Sequence, residues 1–364
     1  MWFVAVHIGA GNHESTNAAV DEANTCMRVA LEAAARVLSA GGDAVSACEE
    51  AVVVLEDAEC TNAGCNGPQV NLTTDGRVET DASVMSGSSN AIGCCGAVEG
   101  VRNPITLAVH LLRSQERRPQ DRQPPLFLVG HGALAEAKDA NLSTINYDDE
   151  PIHPRALIKH QDNATRYLLD TVGAICIDSA GHAAAAVSSA GIALKRPGRV
   201  GHAGCPRMGC CASNGSSTSA AYAFSCTGRG EHLVQGALLQ HLERQVASMS
   251  AKAQVNDVIN DAFNDAKSSN AGVAIEGGVI GLIGRPSSND ATNKRPRLVD
   301  GLDFVVAFTT PSMGIGMLSS SDPAPHMEIL RNGPTGGLLS AHVCAVPPAT
   351  ESQHRSKRHR RTRP

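Results

Sequence analysis

Residues 169 to 191, LDTVGAICIDSAGHAAAAVSSAG, constrain the fold more than any other stretch. Asp170-Thr171 opens the apolar run Val172 to Ile177, Asp178-Ser179-Ala180-Gly181 makes a turn, and Ala183 to Ser189 returns in small side chains. An apolar run without polar alternation reads as a strand covered on both faces, and two such runs around a tight turn read as a hairpin. Side chains this small suit close packing against a second layer, so a layered body is expected.

The remaining elements fit around that hairpin. Phe3 to Ile8 is a short β-prone run ending in Gly9-Ala10-Gly11, an interior strand feeding a glycine turn. Met27, Ala30, Leu31, Ala34, Val37 and Leu38 recur at helical spacing within 21 to 40, with Gly41-Gly42 as the stop. Asp43 is positioned to cap a second helix whose inward face is Val45, Cys48, Val52 and Leu55. Segment 69 to 85 reads as a hairpin turning at Thr74-Asp75-Gly76. A helix is expected from Pro104 through Leu112, a surface loop over 113 to 125, a strand over 126 to 130 and a short helix over 133 to 140. Residues 141 to 169 have no clear period and read as an exposed, mobile connector. Helices are then expected near 231 to 249 and 255 to 266, strands near 273 to 283, 303 to 309 and 314 to 318, a polar loop over 285 to 300, and disorder beyond Val346. This order suggests a layered α/β body, not a parallel doubly wound sheet.

Composition excludes several classes. No window approaches the roughly 18 to 20 apolar residues of a bilayer span, and MWFVAVHIGAGNHE shows neither the charged region nor the cleavage pattern of an export signal. Net charge is -5, but six basic residues fall in the last ten positions; without them 25 basic residues face 36 acidic ones, and the body carries -11. Such a body is not expected to bind nucleic acid by charge, and no specific nucleic-acid partner is expected. The twelve cysteines include no C-x-x-C, so they read as reduced, mostly buried small residues. Cys205, Cys210 and Cys211 could hold zinc only with a second ligand pair, which is absent from the pattern, so no metal site is expected. Gly9-x-Gly11 lacks the third glycine of a dinucleotide fingerprint, since position 14 is Glu14, and no cofactor is expected.

The junction between the connector and the hairpin carries the chemistry. A flexible thread delivering a hydroxyl residue to a strand start is what a self-cleaving precursor needs: Thr171 can attack the carbonyl of Asp170, and water then frees a new N-terminal threonine. That α-amine, with an ordinary pKa near 7.7 to 8.0, can act as general base for its own hydroxyl near neutrality. Taken alone, an Asp-Thr pair at a strand start reads as a structural turn, and the residues by themselves do not single this threonine out.

The blocks FVAVHIGAG (3 to 11), LEDAECTNAG (55 to 64), ETDASVMSG (79 to 87), the hairpin segment 169 to 191, GRVGHAG (198 to 204) and SCTGRGEH (225 to 232) resemble, in this order, the type 2 asparaginase family of N-terminal-nucleophile hydrolases. The similarity runs from about Phe3 to Val346. The resemblance implies an α+β fold, the four-layer αββα sandwich, in one domain over 1 to 346. It implies self-cleavage at Asp170/Thr171 into an α chain of 1 to 170 and a β chain of 171 to 364, with a disordered basic tail over 347 to 364. Thr171 is then the nucleophile, Ser189 a second hydroxyl beside it, and Thr227 with Gly228 the oxyanion site. Arg199 is the clamp for a substrate carboxylate, Gly230 a further substrate-binding position, and Asn62 a supporting asparagine.

Within the family the chain looks most like the threonine aspartase branch. Asparaginases and isoaspartyl peptidases carry an Asp after GRVG that pairs with the substrate's free α-amine, whereas this chain has His202. The expectation is therefore a threonine-type endopeptidase cutting after an internal Asp in protein substrates such as nuclear transcription and chromatin regulators, with His202 as a specificity residue. An (αβ)2 assembly in nucleus and cytoplasm goes with it, and Lys357-Arg358-His359-Arg360-Arg361 reads as an import signal. The alternatives are an isoaspartyl peptidase/L-asparaginase acting on small β-aspartyl substrates, and an uncleaved pseudoenzyme serving as a binding protein. The chain departs from the family pattern by one extra residue in TNAGCNGPQVNL, by Ser86 and by Arg229.

Overall fold

A computed structural model describes residues 1–117, 122–161, 171–216, 219–249, 253–284, 302–333 and 337–346. In chain order the elements are β1 (Phe3–Gly11), α1 (Asn17–Ser39), α2 (Ala44–Glu56), β2 (Thr80–Ser86), β3 (Ile92–Val98), α3 (Pro104–Arg117), β4 (Phe127–Val129), α4 (Gly130–Asp139) and α5 (Pro154–Gln161). There follow β5 (Val172–Ile177), β6 (Ala183–Ser189), β7 (Cys210–Ser213), β8 (Ala221–Gly228), α6 (Gly230–Gln235), α7 (Leu238–Ala247), α8 (Val255–Ser269), β9 (Gly277–Gly284), β10 (Leu302–Phe308), β11 (Ser312–Ser319), β12 (His326–Arg331) and β13 (Leu339–Val346). One sheet has the order β12-β11-β1-β5-β6-β2-β3-β4 and the other β13-β10-β9-β8-β7. Only the β3/β4 pairing is parallel among the described strands.

Three buried clusters make this a four-layer αββα sandwich, the expected α+β architecture. Met27, Leu31, Val52, Leu55, Leu107 and Leu111 of the first three helices cover the outer face of the larger sheet. Phe3, Ile175, Val187, Ile280, Phe304 and Phe308 fill the space between the sheets. Leu239, Leu242, Val258, Ile259 and Phe263 of α7 and α8 cover the smaller sheet over Phe224, Val279 and Val305. The hairpin β5–β6 sits in the middle of the larger sheet, with Val172↔Ser188 and Ala174↔Ala186 in register. Because side chains alternate along a strand, Val172, Ala174 and Cys176 meet the helices while Ile175 and Ile177 meet the second sheet. Both faces are covered, as the unbroken apolar run predicts.

Local signals set the helix starts. Thr16 accepts the Ala19 N–H at the head of α1, and Asp43 accepts the Ser46 N–H (2.8 Å) at the head of α2. Several expected boundaries move. Segment 69 to 79 forms isolated bridges alone, Leu72/Val78 around the Gly76 turn and Thr73/Lys195, and the strand that follows pairs with β3 and β6. Helix α3 runs on to Arg117 because Arg113 pairs with Asp43 and Glu116. The helix expected over 231 to 249 is two, broken at Ala237, which has φ 50. The connector holds α5, fastened where Lys159 Nζ donates to Gln69 O and Asn71 Oδ1 and His160 meets Thr73 O. Asp170, residues 162 to 169 and the basic tail lie outside the described residues. Among the described residues no helix is long and apolar enough to cross a membrane.

Candidate active site

Thr171 lies immediately before β5 with 3 % of its surface exposed. Its Oγ1 donates to Ser189 Oγ at 3.3 Å, and Ser189 Oγ also accepts the Gly191 N–H at 2.9 Å. The hairpin register brings this pair together, since Ser189 ends the strand that runs beside β5. The turn after Ser189 is held from below: Asn62 Nδ2 and Asn71 Nδ2 both donate to Gly191 O, at 3.2 and 2.6 Å, and Asn62 O accepts the Ala190 N–H. Asn62 therefore braces the loop beside the two hydroxyls, with its Oδ1 buried and unpaired.

Thr227 and Gly228 end β8 in the other sheet. The Ala10 N–H donates to Thr227 Oγ1 at 3.1 Å, which leaves the hydroxyl proton free to point elsewhere. Gly228 has φ 142, and a Cβ there would sit 2.4 Å from Glu276 O, so only glycine fits. Arg229 continues the chain and pairs with Glu276 at 2.7 Å.

His7 and Ser225, which the sequence reading passed over, tie the two sheets together beside Thr171. His7 Nε2 lies 2.9 Å from Ser225 Oγ, whose own proton goes to Ala186 O at 3.0 Å, while the ring also bears on the Thr171 backbone. Burial above all, and then His202, lower its pKa to about 3, so His7 is neutral near pH 7. A histidine inside an otherwise apolar strand was the sequence signal that marked it.

The second half of the site is the loop 198 to 204 facing the start of α6. Arg199 Nε and Nη2 donate to the Glu231 carboxylate at 2.8 to 2.9 Å. Glycine surrounds the guanidinium: a Cβ at Gly230 would lie 2.8 Å from Nη2, one at Gly201 2.9 Å from Nη1, and one at Gly191 3.2 Å from Nη1. The loop is anchored by Asp81, whose two oxygens accept the Ala97 and Gly201 N–H groups at 2.9 and 2.7 Å. Burial raises the Asp81 carboxyl pKa, with Lys195 opposing. Lys195, itself buried, donates to Glu79 O and Ala190 O.

His202, expected as a specificity residue, lies in the interior beside the end of β8. It is 3 % exposed, with its Nε2 3.2 Å from Cys226 O, and burial, then Arg199, lower its pKa to about 4. The ring is a neutral part of the interior, tied to the strand that bears Thr227. The cysteines behave similarly. Cys210 packs between the sheets and Cys211 against the α7–α8 layer, so neighbours on one strand face opposite ways and cannot share a metal ion. Among the described residues no group of three or more His, Cys, Asp or Glu side chains is arranged to hold one.

Comparison with known proteins supplies the family. The asparaginase family profile matches residues 1–284. The chain belongs to that asparaginase family. Its curated relatives include the isoaspartyl peptidase/L-asparaginase of Bos taurus, 36% identical over 207 residues, covering 55% of this chain and 62% of the relative. The enzyme of the same name from Mus musculus is 33% identical over 240 residues, 64% of this chain and 68% of the relative. The plant-type L-asparaginase of Pyrobaculum calidifontis is 32% identical over 251 residues, 65% and 77%. The bovine match thus spans less than two thirds of that relative. These names overturn the expectation of a threonine endopeptidase cutting proteins after Asp: this asparaginase-family hydrolase aligns with relatives named isoaspartyl peptidase/L-asparaginase, not threonine aspartase.

Proposed function

We propose that this asparaginase-family hydrolase is an isoaspartyl peptidase/L-asparaginase, hydrolysing the side-chain amide of small β-aspartyl substrates. The observation that carries the reading is a two-part site: a buried threonine hydroxyl 3.3 Å from a second hydroxyl, and a guanidinium whose Nη1 makes no hydrogen bond among the described residues. Glu231 takes the Nε–Nη2 edge of Arg199. The Nη1–Nη2 edge remains for the substrate's α-carboxylate, which a guanidinium binds in two-pronged fashion.

The chemistry then follows from the residues. Cleavage before Thr171 frees its α-amine, which takes the proton of Oγ1 as that oxygen attacks the β-carbonyl. Thr227 Oγ1–H and a backbone N–H at Gly228 stabilise the negative oxygen of the tetrahedral intermediate. Its collapse expels ammonia or an amino acid, which takes up the proton held by the amine, and leaves a β-aspartyl ester on Thr171. Water, deprotonated by the same amine, hydrolyses the ester to aspartate. Ser189 fixes the hydroxyl, and Asn62 holds the loop that carries it.

The test combines processing and turnover. After incubation, mass spectrometry is expected to find chains of residues 1–170 and 171–364, and the processed protein to release leucine from β-Asp-Leu and ammonia from L-asparagine. Thr171→Ala is expected to stay in one piece and to lose turnover by at least about 10⁴-fold, the scale of removing a nucleophile. Processed protein that leaves both substrates untouched, or Thr171→Ala that still cuts itself at 170/171, would overturn the reading.

A further inference from the structure

We infer that Glu231 is the specificity residue that receives the substrate's α-ammonium group, beside the α-carboxylate held by Arg199. The inference rests on the β-aspartyl reading above and adds the group that reads the amine. In asparagine and in β-aspartyl peptides the α-carboxylate and α-ammonium sit on one carbon atom. Groups that read them lie side by side, and opposite charges suit the two best, as Arg199 and Glu231 supply through a two-pronged ion pair.

Elimination among the neighbouring acids points the same way. Both Asp81 oxygens are buried and held by backbone N–H groups. Glu79 is buried, and its carboxylate accepts the Gly198 N–H. Glu276 is engaged by Arg229. His202 is a neutral ring turned against Cys226 O. Glu231 alone among these combines a direct contact to the clamp with half its side chain open to solvent, against 16% for Arg199. It stands in the first turn of α6 directly after Gly230, whose missing side chain leaves the space in front of Nη2 open. A carboxylate keeps acceptor sites after a two-pronged contact with arginine, so it can hold an ammonium at the same time.

The measurement compares L-asparagine with succinamate, which is asparagine without the α-amine, using the processed full-length protein as wild type, Glu231→Gln and Glu231→Asp. Wild type is expected to prefer asparagine. Glu231→Gln is expected to lower kcat/KM for asparagine by about tenfold or more, chiefly through KM, and to leave succinamate within about twofold, the scale of losing one charge-assisted contact. Glu231→Asp should recover part of the preference. The ratio of the two substrates does not depend on how much of a variant is folded. If Glu231→Gln lowers both substrates equally, Glu231 only positions Arg199 and the inference fails. If it raises both, Glu231 is a plug in the clamp and the inference fails likewise. A wild type silent on asparagine and β-Asp-Leu overturns the functional reading together with the inference, whereas an active wild type whose ratio Glu231→Gln leaves unmoved overturns the inference alone.

Discussion

Thr227 shows how one hydroxyl can serve two purposes. Its lone pair satisfies the buried Ala10 N–H, and in the proposed mechanism its proton serves the reacting carbonyl. Thr227→Val is expected to lower kcat by about 10²- to 10³-fold with a smaller effect on KM, because the lost donor acts on charge that develops in the transition state. It also strands the Ala10 N–H, at a cost of about 1–3 kcal/mol in stability. Thr227→Ser keeps donor and acceptor and should retain most of the activity; steady-state kinetics with denaturant melts of both variants separate the two effects, and an active Thr227→Val would contradict this role. At this scale the sequence marks residues by the distinctive blocks they sit in, as for Thr171, Ser189 and Arg199, and the structure places the first two 3.3 Å apart. It is less legible where function depends on direction. His202 was readable as a histidine in a loop, but its turn into the interior is set by Cys226 O, 24 positions away. Glu231 was visible in SCTGRGEH, yet nothing local announces its pairing with Arg199 across 32 positions.

The central hairpin explains its own composition. A Cβ on Gly173 would lie 2.1 Å from Ser225 Oγ, 2.4 Å from His7 Nε2 and 2.8 Å from Ala186 O, so β5 must pass the His7–Ser225 link without a side chain. Gly173→Ala is expected to break that link and destabilise the protein by about 1–3 kcal/mol or more, the range for overpacking a dense core. Thermal melts and a solubility assay check it, and an unchanged melting temperature would show that the link can shift aside. Small residues on both faces announced this element, and helical spacing with capping residues announced α1 and α2. Strands β3, β7, β8, β12 and β13 were not expected; in β3 and β7 the apolar signal is diluted by glycine and paired cysteines, as in Ile92-Gly93-Cys94-Cys95-Gly96. Their strand state comes from long-range partners, β2 for the one and β8 for the other. The break between α6 and α7 is equally non-local, since Gly236 packs where a Cβ would lie 2.5 Å from Ile275 Cδ1.

Across the whole molecule, the layers bury titratable groups whose effects on stability run in opposite directions with pH. His202, buried against the Cys226 carbonyl, has its pKa lowered from 6.5 to about 4, so from pH 6.5 down to 4 the unfolded chain binds the extra proton and stability falls as pH falls. Glu56, at the junction of α2 and α3, accepts the Ile105 N–H and is raised by burial from 4.5 to about 8. Between those values the folded chain holds the extra proton, so its contribution is present below pH 4.5 and is lost as pH rises through 8. Each group contributes a slope approaching 1.36 kcal/mol per pH unit within its window. The comparison is best made in the Thr171→Ala chain, which the proposed mechanism keeps in one piece. From pH 5 to 8, the stability of Glu56→Gln relative to its parent is expected to climb, since the variant has no carboxyl to ionise. Relative to the same parent, His202→Gln is expected to gain as pH drops from 6.5 to 5, where the parent loses the histidine contribution. Urea unfolding at pH 5, 6, 7 and 8 reads both differences. Two differences that stay constant with pH would mean that neither group is held in the protonation state its burial dictates, and that water reaches both positions in the folded sandwich.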